Sequence, residues 1–217
     1  MRKLKLRANP YPGKLIVFEG TDGAGKTTMI GLTERYLAGR GEDVLCVKQP
    51  TDLSRKTRLF QKMMYSVQHE DIDYRAVQLL TMSDRIQHGS EVIVPALKEG
   101  RTVICDRYVY TSLANMLARG YSDERWFFEA ARHLLRPDLI FLTYVPPRIA
   151  IQRIRERPSE RHRYLNEELL YRVAAGFKEM AYREGFVVLD TCGEPFRAFD
   201  RVRSALEGEM KHGRKRS

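Results

Sequence analysis

The sequence predicts an α/β fold, a doubly wound five-stranded parallel sheet with helices on both faces. Three observations predict it. Short apolar runs of strand length alternate with stretches of helical periodicity. The runs are apolar throughout, as strands covered on both faces are. The first of them leads straight into Gly20-Thr21-Asp22-Gly23-Ala24-Gly25-Lys26-Thr27, a G-x-x-x-x-G-K-[ST] loop followed by a helical pattern.

The first strand is expected over residues 14–19, where Leu15-Ile16-Val17-Phe18 is the apolar run. A helix is expected over 27–38, because Met29, Ile30, Leu32, Tyr36 and Leu37 share roughly one face. Gly39 to Asp43 reads as a turn, and 44–48 as a second strand ending at Gln49-Pro50. Helical spacing returns with Leu59, Met63 and Met64, then Ala76, Leu79, Leu80, Met82 and Ile86, then Val92, Ile93, Ala96 and Leu97, and Gly100 closes it. Further strands are expected over 102–106, 138–145 and 186–190, with helices between them. In such sheets ligands sit beyond the carboxyl ends of the strands, where Gly20, Pro50 and Asp106 fall.

At 217 residues the chain is long enough for one well-buried domain, expected over 13–210 between a basic N-terminal extension (1–12) and a basic tail (211–217). With 43% hydrophobic and 30% charged residues and no apolar stretch near the ~18 residues of a membrane span, a soluble protein is expected. Three widely spaced cysteines, Cys46, Cys105 and Cys192, suggest neither a disulfide framework nor a zinc site, and no secretion signal is read, so the reducing cytoplasm is the expected compartment. The net charge of +10 suits polyphosphate ligands as well as nucleic acid. Much of the excess lies at the ends, in Arg2, Lys3, Lys5 and Arg7 and in Lys211, Arg214, Lys215 and Arg216, where mobile solvated tails are expected. Nucleic acid is therefore not the expected partner.

The glycines of the 20–27 loop let backbone curl and approach a ligand without a Cβ in the way. Its N–H groups can surround phosphate, Lys26 can neutralise the outer charge, and the Thr27 hydroxyl can ligate Mg²⁺. A helix starting there adds its positive dipole end. Such a loop specifies a nucleotide and not a reaction. GTPase chemistry is disfavoured: outside the loop the only D-x-x-G runs from Asp190 to Gly193, after the last strand, and N-K-x-D is absent. Asp106-Arg107-Tyr108 at the end of the third strand offers a carboxylate for Mg²⁺ and a guanidinium for an acceptor phosphate. Residues 152–163 carry arginines at 153, 155, 157, 161 and 163 without an apolar face, as a mobile lid over phosphates would. None of His69, His88, His133, His162 and His212 has a paired metal spacing, and Trp126-Phe127-Phe128 reads as core or dimer contact.

The loop F-E-G-T-D-G-A-G-K-T-T and Asp106-Arg107-Tyr108 occur with Leu79-Leu80 and Arg85, Ile93-Val94-Pro95-Ala96-Leu97 and Gly100, Ser112-Leu113-Ala114, Pro137-Asp138-Leu139 and Val145-Pro146-Pro147. Together they resemble the thymidylate kinases among the nucleoside monophosphate kinases. The resemblance implies transfer of the ATP γ-phosphoryl group to a pyrimidine deoxynucleoside monophosphate, dTMP to dTDP, by a homodimer using Mg²⁺. ATP would be held by Gly20, Thr21, Asp22, Gly23, Ala24, Gly25, Lys26, Thr27 and Thr28, and Mg²⁺ by Thr27 and Asp106. Arg107 would take the acceptor phosphate, Arg85 the base or phosphate, and Asp22 the sugar hydroxyl. Pro50, Tyr108, Thr81, Asn115 and Met116 complete the acceptor side. The loop has Gly23 and Ala24 where some relatives place an arginine, so lid arginines, Arg153 and Arg157, would act in the transfer. The adenine pocket would lie near Thr191-Cys192-Gly193-Glu194-Pro195.

Three departures from that family pattern stand out. Lys48-Gln49-Pro50 replaces Arg-Glu-Pro and removes a carboxylate that could assist with Mg²⁺. Thr81 stands where a phenylalanine stacks on the base, leaving Tyr108, Tyr110 or Met82 to supply a stack. Asn115 and Met116 stand in place of a tyrosine and glutamine beside the sugar. Two alternatives therefore stay open: a related kinase for another or a modified monophosphate, and a non-catalytic nucleotide- or nucleic-acid-binding protein.

Overall fold

The computed structural model describes residues 2–66, 72–158 and 164–213, with side chains described up to 209. Five strands, β1 (Leu15–Glu19), β2 (Val44–Lys48), β3 (Thr102–Asp106), β4 (Leu139–Tyr144) and β5 (Val187–Asp190), pair in parallel in the order β2-β3-β1-β4-β5. The central strand β1 sets Phe18 opposite Asp106 on one side and opposite Phe141 on the other. Strand periodicity then sorts the side chains. Leu15, Val17, Val103, Cys105 and Leu142 enter the core on one face, and Ile16, Phe18, Ile104, Phe141 and Leu189 enter the core on the other. Residues 15–18 are at most 1% exposed. Burying each such side chain stabilises the fold by about 1.5–3 kcal/mol.

Helices α1 (Lys26–Ala38) and α10 (Pro195–Gly213) cover the second face through Met29, Leu37, Ala198, Val202 and Leu206. The first face is covered by α4 (Tyr74–His88), α5 (Val94–Lys98), α6 (Val109–Ala118), α7 (Arg125–Ala131) and α9 (Glu167–Glu184). A π turn at Gly89–Ile93 joins α4 to α5. Two short helices, α2 (Asp52–Arg55) and α3 (Arg58–Tyr65), follow β2, and α8 (Pro147–Arg155) follows β4. The expected strands are therefore present, with ends differing by a residue or so. Phe127 and Phe128 are core residues.

Two expectations need correction. The burial of α4 does not follow its apolar pattern: Leu79 is 55% exposed, while Gln78, Thr81, Asp84 and Arg85 are buried with Tyr74, Val77 and Met82. This face meets a polar cavity as well as the core, so hydrophobicity alone misplaces it. The N-terminal segment is also not a free solvated tail. Leu4 is buried, and the Arg7 amide donates to the Leu134 carbonyl (2.9 Å) while its carbonyl accepts from the Arg136 amide. Arg2 pairs with Glu129 and lies over the Phe128 ring. Asp138 Oδ2 ties the segment to the sheet by accepting from Asn9 Nδ2 (2.9 Å) and the Leu15 amide (2.8 Å). Of the basic residues at the C-terminus, Arg214, Lys215 and Arg216 and the side chain of Lys211 lie outside the described residues.

Candidate active site

The glycine-rich loop leaves the end of β1 and enters α1 at Gly25, the left-handed cap residue. Gly20 and Gly23 have φ of +140° and +79°. A Cβ on Gly20 would collide with the Thr143 carbonyl and hydroxyl, and one on Gly23 with the Ala150 carbonyl. Only glycine lets the loop close down on β4 and α8 at these two positions. Lys26 Nζ donates to the Gly20 and Thr21 carbonyls (3.0 and 2.9 Å). Burial, reinforced by the Arg107 cation, brings its pKa down to about 7. Thr27 and Thr28 are exposed at the head of α1.

Arg107 follows β3 in the left-handed region, φ 70°. Its guanidinium pairs with Asp22 and donates to the Gly20 carbonyl (2.8 Å) and the Thr111 hydroxyl (3.2 Å). Burial works against its charge, but Asp22, Asp106 and Glu19 outweigh it and raise its pKa. Glu19, the last residue of β1, is 0% exposed. It accepts from the Tyr108 amide (2.9 Å), the Thr111 amide (3.2 Å) and the Thr111 hydroxyl. Burial nevertheless lifts it to about 7.

A cavity of about 410 Å³ runs from the loop to the inner ends of α4 and α6, a size that suits a small ligand. Among the described residues, Lys26, Lys48, Arg55, Arg85, Arg107, Arg119 and Arg157 line it against Asp22 and Asp106, a balance that suits anions. Arg85 is 1% exposed, donates to the Thr81 carbonyl (3.2 Å), and has its Nε without a partner among the described residues. Burial lowers its pKa. Asp84 accepts from the Thr51 amide (2.7 Å) and hydroxyl, and Arg55 Nε donates to the Pro50 carbonyl (2.7 Å). These bonds hold the turn after β2 against α4.

Of the predicted site residues, Thr21, Asp22, Gly23, Gly25, Lys26, Thr27, Thr28, Pro50, Thr81, Arg85, Asp106, Arg107, Asn115 and Arg157 line this cavity. Tyr108 and Met116 do not. Both are core residues at most 2% exposed, and the Tyr108 hydroxyl donates to the Leu135 carbonyl (3.0 Å). Tyr108 turns into the core while Arg107 faces the cavity. Tyr110 and Met82 are core as well, so none of the three expected substitutes for the stacking ring lies at the site. The cavity's rings are instead Phe60, Tyr65, Tyr74, Tyr164 and Phe177. Arg119 lies 4.0 Å over Tyr74 and donates to Asn115 Oδ1 (2.9 Å), whose amide nitrogen donates to the Thr111 carbonyl (2.9 Å).

Arg153 is not a free lid arginine. It donates to the carbonyls of Gly23 (3.4 Å), Thr191 (3.0 Å) and Cys192 (3.5 Å), joining the loop to the turn after β5. The Thr191 hydroxyl reinforces that join by donating to the Ala24 carbonyl (2.8 Å). Arg161, Arg163, His69 and His162 lie outside the described residues. Gln49 is 0% exposed and contacts His88 Nδ1 through Nε2 (3.0 Å) rather than lining the cavity.

The reading of the sequence missed Arg55, Arg119, Tyr74, Gln78, Asp84 and Glu19. Only Glu19, a carboxylate inside an apolar strand run, carried a signal of its own.

No group of three or more His, Cys, Asp or Glu residues converges among the described residues. Asp106 Oδ1 is buried and unpartnered among them, and Thr27 is exposed and lines the same cavity. This donor set fits Mg²⁺, which takes one or two protein oxygens and completes its shell with phosphates and water.

Residues 18–198 match the family model described as Thymidylate kinase. The chain is 37% identical over 212 residues to the thymidylate kinase of Geobacillus thermodenitrificans, spanning 92% of this chain and 94% of that one. It is 33% identical over 209 residues to the thymidylate kinase of Desulfovibrio desulfuricans, spanning 90% and 96%. To the probable thymidylate kinase of Pyrococcus horikoshii it is 40% identical over 148 residues, spanning 67% and 71%.

Proposed function

This chain belongs to the thymidylate kinase family, and on that premise we propose that it transfers the γ-phosphoryl group of ATP to dTMP, giving ADP and dTDP. The observation that carries the proposal is the single cavity joining the phosphate loop and Lys26 to Arg107 and Arg85. Donor and acceptor phosphates can lie side by side there, each with its own cations. The acceptor phosphate is already anionic, so no strong base is needed; positioning and charge neutralisation carry the barrier.

In this reading the loop amides and Lys26 hold the donor phosphates, and Arg153 keeps the loop and the turn after β5 together beneath the adenine. Arg107 orients the acceptor phosphate with a planar fork that lysine lacks, and Asp22, its partner, faces the sugar. Arg85 reaches the base or phosphate from the buried face of α4. Arg157 closes over the transferring group from the end of α8. Thr27 and Asp106 would hold Mg²⁺, which when bound would neutralise charge on the donor phosphates. Tyr74, with Arg119 over its ring, and Phe60 form an aromatic wall near Thr81, and this wall does the work of the ring that Thr81 lacks.

We extend the reading to a cytoplasmic homodimer. The described structure has no helix long and apolar enough to cross a membrane, and its three cysteines are unpaired. Exposed Leu53, Tyr65 and Leu79 on adjoining α2, α3 and α4 support contact with a second copy.

The test is a coupled ADP-release assay with ATP and Mg²⁺ against dTMP, dUMP, dCMP, UMP and CMP. Turnover on dTMP well above the others is expected. Turnover on another monophosphate in its place would overturn the acceptor, and none on any would overturn the reaction.

A further inference from the structure

Glu19 is a carboxylate buried at the end of the central strand, where a lone charge would cost several kcal/mol. It is retained because it meets donors from a different element. The first amides of a helix have no intrahelical acceptor, and in α6 the cap residue, Tyr108, offers no side-chain acceptor. Glu19 Oε1 accepts the Tyr108 and Thr111 amides instead, and Oε2 accepts the Thr111 hydroxyl. The same hydroxyl accepts from Arg107. Arg107 sits between these two anchors with φ 70°, a conformation that persists in a non-glycine residue only where its surroundings enforce it. Glu19 also immediately precedes Gly20, whose carbonyl takes a second Arg107 donor. One side chain thus connects the start of the phosphate loop to the residue that faces the acceptor.

We propose that Glu19, acting through Thr111, is a positioning residue that fixes the Arg107 guanidinium relative to the phosphate loop and so sets the approach of acceptor to donor phosphate. The inference rests on the reading of Arg107 as the acceptor-phosphate ligand. The chain Glu19–Thr111–Arg107–Asp22 is continuous, and it crosses from β1 to α6 and back to the loop. A misplacement of about 1 Å in reacting groups is worth roughly 10²-fold in rate. Loosening this chain should therefore appear in turnover before it appears in nucleotide affinity.

The experiment compares Glu19→Gln, Thr111→Val, Thr111→Ser and the Glu19→Gln/Thr111→Val double variant with the wild type, using ATP, Mg²⁺ and dTMP at a pH above the value of about 7 to which burial lifts Glu19. Glu19→Gln keeps the volume and the amide acceptor, and Thr111→Val keeps the shape while cutting the link to Arg107. Each should lower kcat by about 10- to 100-fold and leave KM for ATP within about twofold. Thr111→Ser, which restores the hydroxyl, should recover most of the rate. The double variant should be no slower than the slower single one, because both break one chain. Unchanged kcat in both single variants, an equal loss for Thr111→Ser, or losses that multiply in the double variant would overturn the inference. A fall in activity that follows only the fraction of folded protein, read from thermal melts of the same samples, would do so as well. Wild-type turnover on dTMP in the same assay separates failure of this inference from failure of the proposed reaction.

Discussion

Lys26, Arg153 in the last turn of α8 and Arg157 just beyond it show what single side chains contribute. Lys26 is buried and folded onto the carbonyls of its own loop, with its pKa brought down to about 7. A bound triphosphate places negative charge beside it and raises that value. Between the two values the ATP complex holds a proton that the free protein lacks, so affinity falls as pH rises through this window. Calorimetry near pH 8 in two buffers of different ionisation enthalpy should show uptake of close to one proton per ATP. Lys26→Arg, which stays charged, should bind without that uptake; proton-neutral binding by the wild type would refute the assignment. The two arginines should separate kinetically. Arg157 lines the cavity, so Arg157→Ala should reduce kcat by roughly 10²-fold with little change in KM for ATP. Arg153 spends its donors on loop and turn carbonyls, so Arg153→Ala should act mainly on KM for ATP. Steady-state kinetics on both variants decides, and the reverse pattern would exchange their roles. Spacing along the chain marked both arginines equally, since it carries no information on which carbonyls a guanidinium meets.

Helix α4 is where element-level reading of the sequence was least adequate. Leu79 and Leu80 suggested its inner face, but that face is built from Gln78, Thr81, Asp84 and Arg85 beside Tyr74 and Val77. Buried polar residues are affordable there because each has a bonding task, and the periodicity of hydrophobic residues does not register them. Asp84 illustrates the consequence. It accepts both the amide and the hydroxyl of Thr51, fixing the turn that brings Pro50 to the cavity. Asp84→Ala would leave the half-buried Thr51 amide unpaired, costing about 1–2 kcal/mol, a fall in Tm of about 2–8 °C for a chain of this size. Thermal melts and acceptor KM should both move. A variant with wild-type Tm and KM would show that the turn holds itself. The strands were far more legible, because the central ones, β1 and β3, are buried on both faces and the apolar runs have few alternatives.

For the molecule as a whole, the exposed apolar surface on α2, α3 and α4 bears on assembly. If the proposed homodimer forms through that surface, Leu79→Glu, which places a charge in it, should sediment as a monomer while the wild type sediments as a dimer. A dimeric variant would move the interface elsewhere. Because α4 also carries Thr81 and Arg85 on its opposite side, loss of the dimer should raise acceptor KM as well.

The sequence by itself determined the sheet, the phosphate loop and the Asp-Arg-Tyr turn. Each is specified by local physics: burial on two faces, glycine where φ is positive, and a polar turn at a strand end. Tertiary structure decided which side chains share the cavity. It sent Tyr108 and Met116 into the core, turned Gln49 toward His88, and made Arg153 a tie between loops. It also packed a basic N-terminal segment onto the α7–β4 turn, and it brought Arg55, Arg119 and Tyr74 to the cavity. These outcomes depend on contacts between residues far apart in the chain, such as the 92 positions that separate Glu19 from Thr111, and no local pattern encodes which distant donor will meet a buried acceptor.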